Sequence, residues 1–149
     1  MALEKYKEKR DFKKTNEPKG EVPIKKPKET IFVVHEHHAS HLHWDLRLKM
    51  EGVLKSWAIP KEPPLETGVK RLAIQVEDHP YDYKDFEGII PEGQYGAGKV
   101  IIWDKGMYEL IEKTDKGLVI KINGKKLKGI YVLFKFKPPN NWLFFKKKE

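Results

Sequence analysis

The pattern of hydrophobic and polar positions divides the chain into two segments. Residues 1–29 mix Lys, Glu and Pro with few apolar side chains, which predicts a basic N-terminal arm that Tyr6 and Phe12 could attach to the core. Residues 30–149 carry short β-branched and aromatic runs, separated by Gly, Pro and Asn and almost without helical periodicity. This pattern predicts a single all-β domain over residues 1–149.

Nine short strands are predicted, and they suit an antiparallel barrel or sandwich. The dipeptides Glu51-Gly52, Lys105-Gly106 and Asn123-Gly124 predict hairpin turns, because Gly and Asn tolerate the positive φ of tight hairpins. The longest interval, 78–98, is rich in Gly and Pro and predicts a functional loop. The predicted strands are Ile31–His35, His43–Met50, Val53–Ile59, Arg71–Glu77, Lys99–Trp103, Met107–Glu112, Leu118–Ile122, Gly129–Lys137 and Asn141–Lys146.

Composition narrows the functional classes. Thirty Lys and Arg against 22 Asp and Glu give a formal charge of +8. This charge indicates a polyanionic partner such as nucleic acid, and it indicates equally well a lysine-rich surface that is only solvated. With no cysteine, any metal must be bound through nitrogen and oxygen. No apolar run approaches the roughly 20 residues that span a bilayer, and the first residues are charged, so we expect a cytoplasmic protein without membrane contact.

Five of the six histidines lie between residues 35 and 43. Because side chains alternate along a strand, His43, Asp45 and Arg47 should share one face, each roughly 7 Å from the next. The opposite face should pack in the core; its members are Leu42, Trp44, Leu46 and Leu48.

Two of these polar residues have the spacing of metal ligands. His43 and Asp45 can reach one divalent ion, and His37 can supply a third donor if the chain turns back beside the strand. Such a triad leaves coordination positions open for water and substrate, and Arg47 is suited to bind a phosphate beside it. The alternative is a set of surface histidines that bind water or backbone carbonyls. His35, His38 and His41 are expected to lie behind the ligands or to have no role, and not to bind the metal themselves.

A second strand, 71–79, adds polar residues. Its even positions, Leu72, Ile74 and Val76, are predicted core, so its odd positions should share the polar face. His79 ends the strand and could contact a phosphate or protonate a leaving oxygen. The odd positions are Arg71, Gln75, Glu77 and His79.

Together these segments resemble the phosphoesterase domain of bacterial DNA ligase D and its free-standing bacterial and archaeal relatives, over nearly the whole chain. The motifs are Arg10-Asp11-Phe12-x-x-Thr15-x-Glu17-Pro18, His37-x-Ala-Ser-x-Leu-His43-Trp-Asp45-Leu-Arg47, Gly52-Val-Leu-Lys-Ser-Trp-Ala-Ile-Pro-Lys61, Arg71-Leu-Ala-Ile-Gln-Val-Glu77-Asp-His79-Pro-x-Asp-Tyr83, Phe86-Glu-Gly-Ile-Ile-Pro-x-Gly-x-Tyr95-Gly-Ala-Gly and Trp142-Leu.

The resemblance implies a compact antiparallel β-barrel with few short surface helices and an N-terminal arm. It implies an Mn²⁺-dependent enzyme, with Co²⁺ or Zn²⁺ as alternatives, that acts on nucleic-acid 3′ ends in double-strand-break joining. The enzyme would remove a 3′-terminal ribonucleoside to leave a 3′-phosphate, and then hydrolyse that phosphate to a 3′-hydroxyl. A 3′-phosphatase alone is the narrower alternative. A separate polymerase and ATP-dependent ligase would be its partners.

The resemblance also assigns roles to residues of this chain. The metal ligands would be His37, His43 and Asp45, and Arg47 and His79 would hold the scissile phosphate with Tyr83 close by. Lys61, Arg71 and Glu77 match positions that line the family's site. Arg10, Asp11 and Glu17 match arm residues that bind substrate for diester cleavage. His35 stands where many relatives carry Gln, and His38 where many carry Asp, which makes the surroundings of the site more basic.

Two other functions fit parts of the sequence. An Fe(II) oxygenase also uses two histidines and a carboxylate, although Arg47, Lys61 and Arg71 favour phosphate. A non-catalytic nucleic-acid-binding barrel would stack bases on exposed aromatic side chains. Alternation places Trp44 in the core, and Trp57 packs there as well, which disfavours stacking at those two. The remaining stacking candidates are Trp103 and Tyr95.

Overall fold

A computed structural model describes residues 3–12, 14, 15, 17 and 30–148. Its strands are β1 Ile31–His38, β2 Leu42–Met50, β3 Val53–Ile59, β4 Lys70–Pro80, β5 Gly88–Ile90, β6 Gly98–Thr114, β7 Gly117–Asn123, β8 Lys128–Lys137 and β9 Asn141–Lys146. The described helices are α1 Glu4–Glu8 and a 3₁₀-helix at Tyr81–Asp85. Within these ranges, no helix has the length and apolar character needed to cross a membrane.

Eight strands close into an antiparallel barrel in the order β1-β2-β3-β4-β9-β8-β7-β6, and β6 pairs back to β1. β5 is added at the other side of the first part of β6. The predicted all-β fold is therefore confirmed, and the sandwich alternative is wrong. The predicted strand at Ile31–His35 extends to His38 and the one at His43–Met50 begins at Leu42, so a three-residue turn joins two strands that both carry histidines.

The prediction of a hairpin turn at Lys105-Gly106 is wrong, because this dipeptide lies inside the 17-residue strand β6. The glycine is required by a close approach: a Cβ on Gly106 would lie 2.3 Å from the carbonyl oxygen of Asn123. β5 also falls within the interval 78–98 that was predicted to be a loop.

The other two predicted turns differ in length. Glu51 and Gly52 form a two-residue hairpin with φ values of 56° and 82°, as expected for a type I′ turn. Asn123-Gly124 instead opens a longer loop, because the next strand pairs Asn123 with Lys128. Asp104 organises this loop by accepting hydrogen bonds from the backbone N–H groups of Lys105, Lys125, Lys126 and Leu127.

The wall of the barrel has two buried faces. The inner face forms the main core, where Leu46, Leu48 and Trp57 pack with almost no exposure. Trp44 and Trp103 pack against this core and are partly buried, whereas Leu42, at the hairpin end, is 43% exposed and was wrongly predicted to be core.

The outer face of β1–β4 carries a second apolar cluster that includes the arm. Tyr6 of α1 is completely buried there, with Leu54, Tyr81 and Tyr83. Phe12 packs against the same cluster, so both arm aromatics attach the arm to the barrel as predicted. The arm and the 3₁₀-helix thus cover one side of the wall.

A β-bulge changes the predicted faces of β4. The pairing with β3 shifts between Leu54 and Ser56, so the residues before and after the bulge alternate in opposite phase. Ala73, not Leu72 or Ile74, is buried in the main core, and Ile74 is 37% exposed. The assignment of the even positions to the core is therefore wrong, and it fails because an extra residue interrupts the alternation.

Candidate active site

A cavity of about 310 Å³ lies on the outer face of the wall. Its floor is formed by β1–β4, and its sides by the arm, the 3₁₀-helix and the loop before β6. The side chains on the floor are polar although they are buried: Asp45 is 5% exposed, Arg47 3% and His79 3%. Buried charged groups need paired partners, so the arrangement of those partners defines the site.

His37, His43 and Asp45 form a candidate metal centre at one end of the cavity. The β1–β2 hairpin pairs His37 directly with His43, and the donor atoms of the three residues all lie within 4.8 Å of one another. His37 Nδ1 is 3.5 Å from Asp45 Oδ2, and His43 Nε2 is 3.3 Å from Asp45 Oδ1. The predicted return of the chain beside the second strand is thus confirmed.

Backbone carbonyls orient both imidazole rings. His37 Nε2 lies 2.6 Å from the carbonyl oxygen of Gly96, and His43 Nδ1 lies 3.1 Å from that of His41. A carbonyl oxygen only accepts hydrogen bonds, so each of these nitrogens carries the ring proton. The other two nitrogens, His37 Nδ1 and His43 Nε2, face Asp45, which is the orientation that metal-binding histidines require.

The donor set fits a divalent transition metal. Donor atoms that bind one such ion at about 2.1 Å lie roughly 3 to 3.5 Å apart, and both His–Asp45 separations fall in that range. Burial raises the pKa of Asp45, but the Arg47 guanidinium and the two histidines outweigh this and hold the pKa well below its usual value. Asp45 is therefore an anionic donor. Burial lowers the pKa of His43, but its hydrogen bond to Asp45 and the Asp45 charge outweigh this and raise it, so a metal ion would replace the proton between these two side chains.

Arg47 is held rigidly at the centre of the cavity floor. Its Nε donates to His35 Nδ1 at 3.1 Å and its Nη1 donates to Ser56 Oγ at 2.9 Å. Its Nη2 is 3.5 Å from Asp45 Oδ2, and the guanidinium lies 4.9 Å from the centre of the Tyr83 ring. A guanidinium fixed on several sides in this way presents a cation of defined orientation to the cavity.

His35 positions Arg47. It is completely buried, its Nε2 donates to the carbonyl oxygen of Phe86, and its Nδ1 accepts from Arg47. Burial first, and the neighbouring Arg47 charge second, lower the pKa of His35 to about 3, so the ring stays neutral. His35 does not line the cavity, so we reinterpret it from a substrate-binding residue to a residue that acts through Arg47.

The arm contributes a second arginine to the cavity. Arg10 Nε donates to Glu17 Oε2 at 2.8 Å, and Tyr83 donates its hydroxyl to the same oxygen at 2.7 Å. The guanidinium of Arg10 also stacks on Tyr6, 4.0 Å from the ring centre, and lies 3.6 Å from Glu77. Glu17 is 4% exposed, so the arm is joined to the cavity wall by a buried ionic network.

His79 lies between the two arginines. Its Nδ1 donates to the carbonyl oxygen of Glu77 at 3.0 Å, and its Nε2 accepts from Arg10 at 3.3 Å. Burial, followed by the charges of Arg47 and Arg10, holds the pKa of His79 well below its usual value. The ring is therefore neutral and accepts a hydrogen bond at Nε2. This arrangement disfavours the predicted role of His79 in protonating a leaving oxygen.

Comparisons with known proteins identify the family of the chain. A family model for the DNA ligase D 3′-phosphoesterase domain matches residues 35–135. The chain belongs to this family. The matched segment contains the candidate metal centre and Arg47, whereas the arm residues Arg10 and Glu17 lie outside it.

Curated relatives extend the similarity to the arm. The chain is 45% identical to the multifunctional non-homologous end joining protein LigD of Pseudomonas aeruginosa, over 99% of this chain and 19% of that protein. It is 45% identical to the corresponding protein of Mycobacterium tuberculosis H37Rv, over 89% of this chain and 18% of that protein. With Mycolicibacterium smegmatis LigD the identity is 42%, over 99% and 21%. The chain thus spans about a fifth of the length of these relatives.

Most of the site residues predicted for this phosphoesterase family come together. Besides the metal centre and Arg47, the cavity is lined by Arg10, Glu77, His79 and Tyr83. Glu17 lies directly behind them. Lys61 and Arg71 do not line the cavity. Lys61 is exposed beyond β3, and Arg71 precedes the bulge in β4 and donates to the carbonyl oxygen of Glu62. Asp11 is exposed on the arm.

Three contributors to the site were not predicted from the sequence. Ser56 fixes Arg47, the Gly96 carbonyl fixes His37, and Lys9 binds Glu77 Oε2 at 3.0 Å. The Gly-rich interval that contains Gly96 was predicted to be functional, but no sequence signal distinguishes a backbone carbonyl. Lys9 is one of 30 Lys and Arg residues, so composition does not single it out.

Proposed function

We propose that the chain is an Mn²⁺-dependent 3′-end-processing phosphoesterase. It removes a 3′-terminal ribonucleoside to leave a 3′-phosphate, and it hydrolyses the 3′-phosphate of DNA or RNA primer ends to a 3′-hydroxyl during end joining in the cytoplasm. The observation that carries the proposal is one cavity in which a histidine–carboxylate metal centre adjoins two buried arginines. Separate polymerase and ATP-dependent ligase chains would extend and seal the processed end.

His37, His43 and Asp45 would hold the metal, which when bound would polarise a phosphate oxygen and lower the pKa of a water molecule. Mn²⁺ is proposed, and Co²⁺ or Zn²⁺ suits the same donors. Arg47 would bind the other phosphate oxygens through the N–H groups that do not donate to His35 or Ser56. Because its position is fixed in advance, it would offset growing negative charge without reorganisation.

The two residues between Arg47 and the arm would position the phosphate. Tyr83 stays protonated, because burial raises the pKa of its phenol well above the usual value, and its hydroxyl is held by Glu17. His79 is neutral and hydrogen-bonded to Arg10. We therefore assign His79 to orienting Arg10, and Tyr83, which would have to turn its hydroxyl away from Glu17, to protonating the leaving oxygen.

Arg10 and Glu17 would serve the diester step in particular. A diester carries a nucleoside beyond the scissile phosphate, and the arm lies at the edge of the cavity where such an extension would lie. Asp11 is proposed to assist from the exposed side of the arm. Glu77 would keep the arm in place through Lys9 and Arg10. Lys61 and Arg71 have no part in the proposed mechanism, because neither lines the cavity.

The test uses two labelled primer-templates, one ending in a single 3′ ribonucleotide and one in a 3′-phosphate, with Mn²⁺ and with a chelator. We expect Mn²⁺-dependent conversion of both to a 3′-hydroxyl, and loss of conversion in His43→Ala. His41→Ala is the matched control, because it removes an exposed imidazole from the same hairpin and keeps the carbonyl that orients His43. Conversion of the 3′-phosphate alone would leave only the phosphatase, and no conversion with any divalent metal would refute the proposal.

A further inference from the structure

Tyr95 differs from the other tyrosines of the chain. The other five are at most 8% exposed, whereas Tyr95 is 46% exposed and lines the candidate active-site cavity. Other apolar side chains line the cavity, those of Ala39, Ala58, Val76 and Ile90, but Tyr95 is the aromatic residue of the lining that is largely exposed. An exposed aromatic ring at the rim of a cavity with a charged floor requires a separate explanation.

The loop that carries Tyr95 is fixed by its own backbone. Gly93 and Gly96 adopt φ values of 87° and 76°, which other residues rarely adopt. Hydrogen bonds close the turns on both sides, from Gln94 N to the Pro91 carbonyl and from Ala97 N to the Gln94 carbonyl. The next residue after Tyr95 is Gly96, whose carbonyl binds His37. The backbone at Tyr95 is thus fixed relative to His37 of the candidate metal centre.

Two cations of the arm lie against this ring. Lys9 Nζ is 4.7 Å from the ring centre and 3.3 Å from the Tyr95 hydroxyl, and the Arg10 guanidinium is 5.4 Å from the ring centre. An exposed aromatic face with adjacent cations is the combination that binds a nucleotide, because the base stacks on the ring and the cations attract the phosphate.

We propose that Tyr95 is a base-binding residue that stacks on the nucleobase of the nucleotide whose 3′ oxygen carries the scissile phosphate, which is the terminal nucleotide of a 3′-phosphate end. This inference rests on the proposed function, because it places the adjoining phosphate near Arg47. Stacking does not depend on base identity, so the residue selects for the presence of a base and not for a particular sequence. Tyr95 would then account for recognition of a nucleotide where the rest of the cavity recognises only phosphate.

The competing interpretation is that Tyr95 serves only as a latch, in which its hydroxyl holds Lys9 and hence the arm. The two roles use different parts of the side chain. Tyr95→Phe keeps the ring and removes the hydroxyl, whereas Tyr95→Leu removes both and retains apolar bulk. The control variant is Ile89→Ala, a 72% exposed residue of β5 that precedes the same loop.

The experiment compares two primer-templates with a 3′-phosphate, one with an intact terminal nucleotide and one whose terminal nucleotide lacks its base. For each we would measure kcat/KM with Mn²⁺, and Kd by fluorescence anisotropy with a chelator present. We expect the wild type to prefer the intact end by about tenfold, the usual contribution of one stacked base. Tyr95→Leu should lose this preference in both measurements, and Tyr95→Phe and Ile89→Ala should keep it.

Three results would overturn the inference. The first is equal binding of both ends by the wild type. The second is a Tyr95→Leu variant whose kcat/KM and affinity fall equally on both ends. The third is a Tyr95→Phe variant that loses the preference for the intact end as fully as Tyr95→Leu does. If the wild type converts neither end, the proposed function fails, and the anisotropy measurements alone decide the role of Tyr95. In that case, a wild-type preference for the intact end that is lost in Tyr95→Leu would still support stacking. A wild type that binds both ends equally would refute it.

Discussion

The inner and outer faces of the barrel wall are both buried, but they are buried by different means. On β2, Leu46 and Leu48 point into the main core, while the intervening Arg47 and the preceding Asp45 point outward. The inner face is closed by other strands of the same barrel. The outer face is closed by the arm from the start of the chain and by the 3₁₀-helix and the loop before β6 from its middle.

The two faces also treat polar groups differently. Three indole N–H groups in and around the main core, those of Trp44, Trp57 and Trp142, have no hydrogen-bond partner among the described residues. On the outer face, Asp45 and Arg47 each contact several partners. An apolar core tolerates a few unpaired N–H groups, whereas buried charges must be paired. One strand thus contributes to the core with one face and to the candidate active site with the other.

The largest effect is expected from Asp45→Asn, which changes the outer face alone. The amide removes the anionic donor of the metal centre and a partner of Arg47, so kcat/KM on the 3′-phosphate substrate should fall about a thousandfold. The measurement is steady-state hydrolysis of the 3′-phosphate primer with Mn²⁺. Retention of more than a tenth of the wild-type rate would show that the carboxylate is not part of the catalytic centre.

Leu46→Ala changes the adjacent residue on the inner face. Removal of a completely buried leucine should lower the free energy of unfolding by about 3 kcal/mol, through lost burial and the cavity left behind. Urea denaturation measures this, and the rate per folded molecule should stay within about twofold of the wild type, because Leu46 does not line the site. A large loss of activity without a loss of stability would mean that the two faces are not independent.

Glu17→Gln tests how the outer face is closed. The carboxylate accepts from Arg10 and Tyr83, and hydrogen bonds to charged groups contribute about 2 kcal/mol, which corresponds to about thirtyfold in kcat/KM on the ribonucleotide-ended primer. Glu8→Gln, on the exposed side of α1, is the control. An unchanged rate in Glu17→Gln would indicate that the arm covers the site without acting in it.

His35→Gln is expected to have the smallest effect on activity at neutral pH. In acid it should change how the free energy of unfolding depends on pH. Folded His35 has a pKa of about 3, so below the unfolded value of about 6.5 only the unfolded chain takes up a proton, and stability falls as the pH falls. A glutamine can make the same two hydrogen bonds and does not titrate. Between about pH 6 and pH 4, the free energy of unfolding of His35→Gln should therefore fall less steeply with falling pH than that of the wild type. The difference in slope should be about 1.4 kcal/mol per pH unit.

Urea denaturation at several pH values checks this prediction. Equal slopes for His35→Gln and the wild type would show that His35 is protonated in the folded protein. A lower activity of His35→Gln at neutral pH would show that glutamine does not hold Arg47 as histidine does.

Local features of the structure could be predicted from the sequence. The grouping of His37, His43 and Asp45 follows from alternation along β2 and from the return of the chain beside it, which was stated as the condition for this candidate metal centre. The sequence did not show the bulge in β4, which places Ala73 in the core and leaves Arg71 outside the cavity. Gly106 was mistaken for a turn residue because its requirement comes from the distant Asn123 carbonyl. Such features depend on contacts between distant strands, which a single sequence does not reveal.

The closure of the barrel by β1 and β6 has a consequence for folding. These strands are far apart in the sequence, so their pairing must overcome a large loop-closure entropy, and topologies of this kind fold in milliseconds to seconds. The β1–β2 hairpin, by contrast, forms from adjacent residues on a microsecond timescale. His37, His43 and Asp45 all lie on that hairpin, so the three donors can be brought together long before the barrel closes.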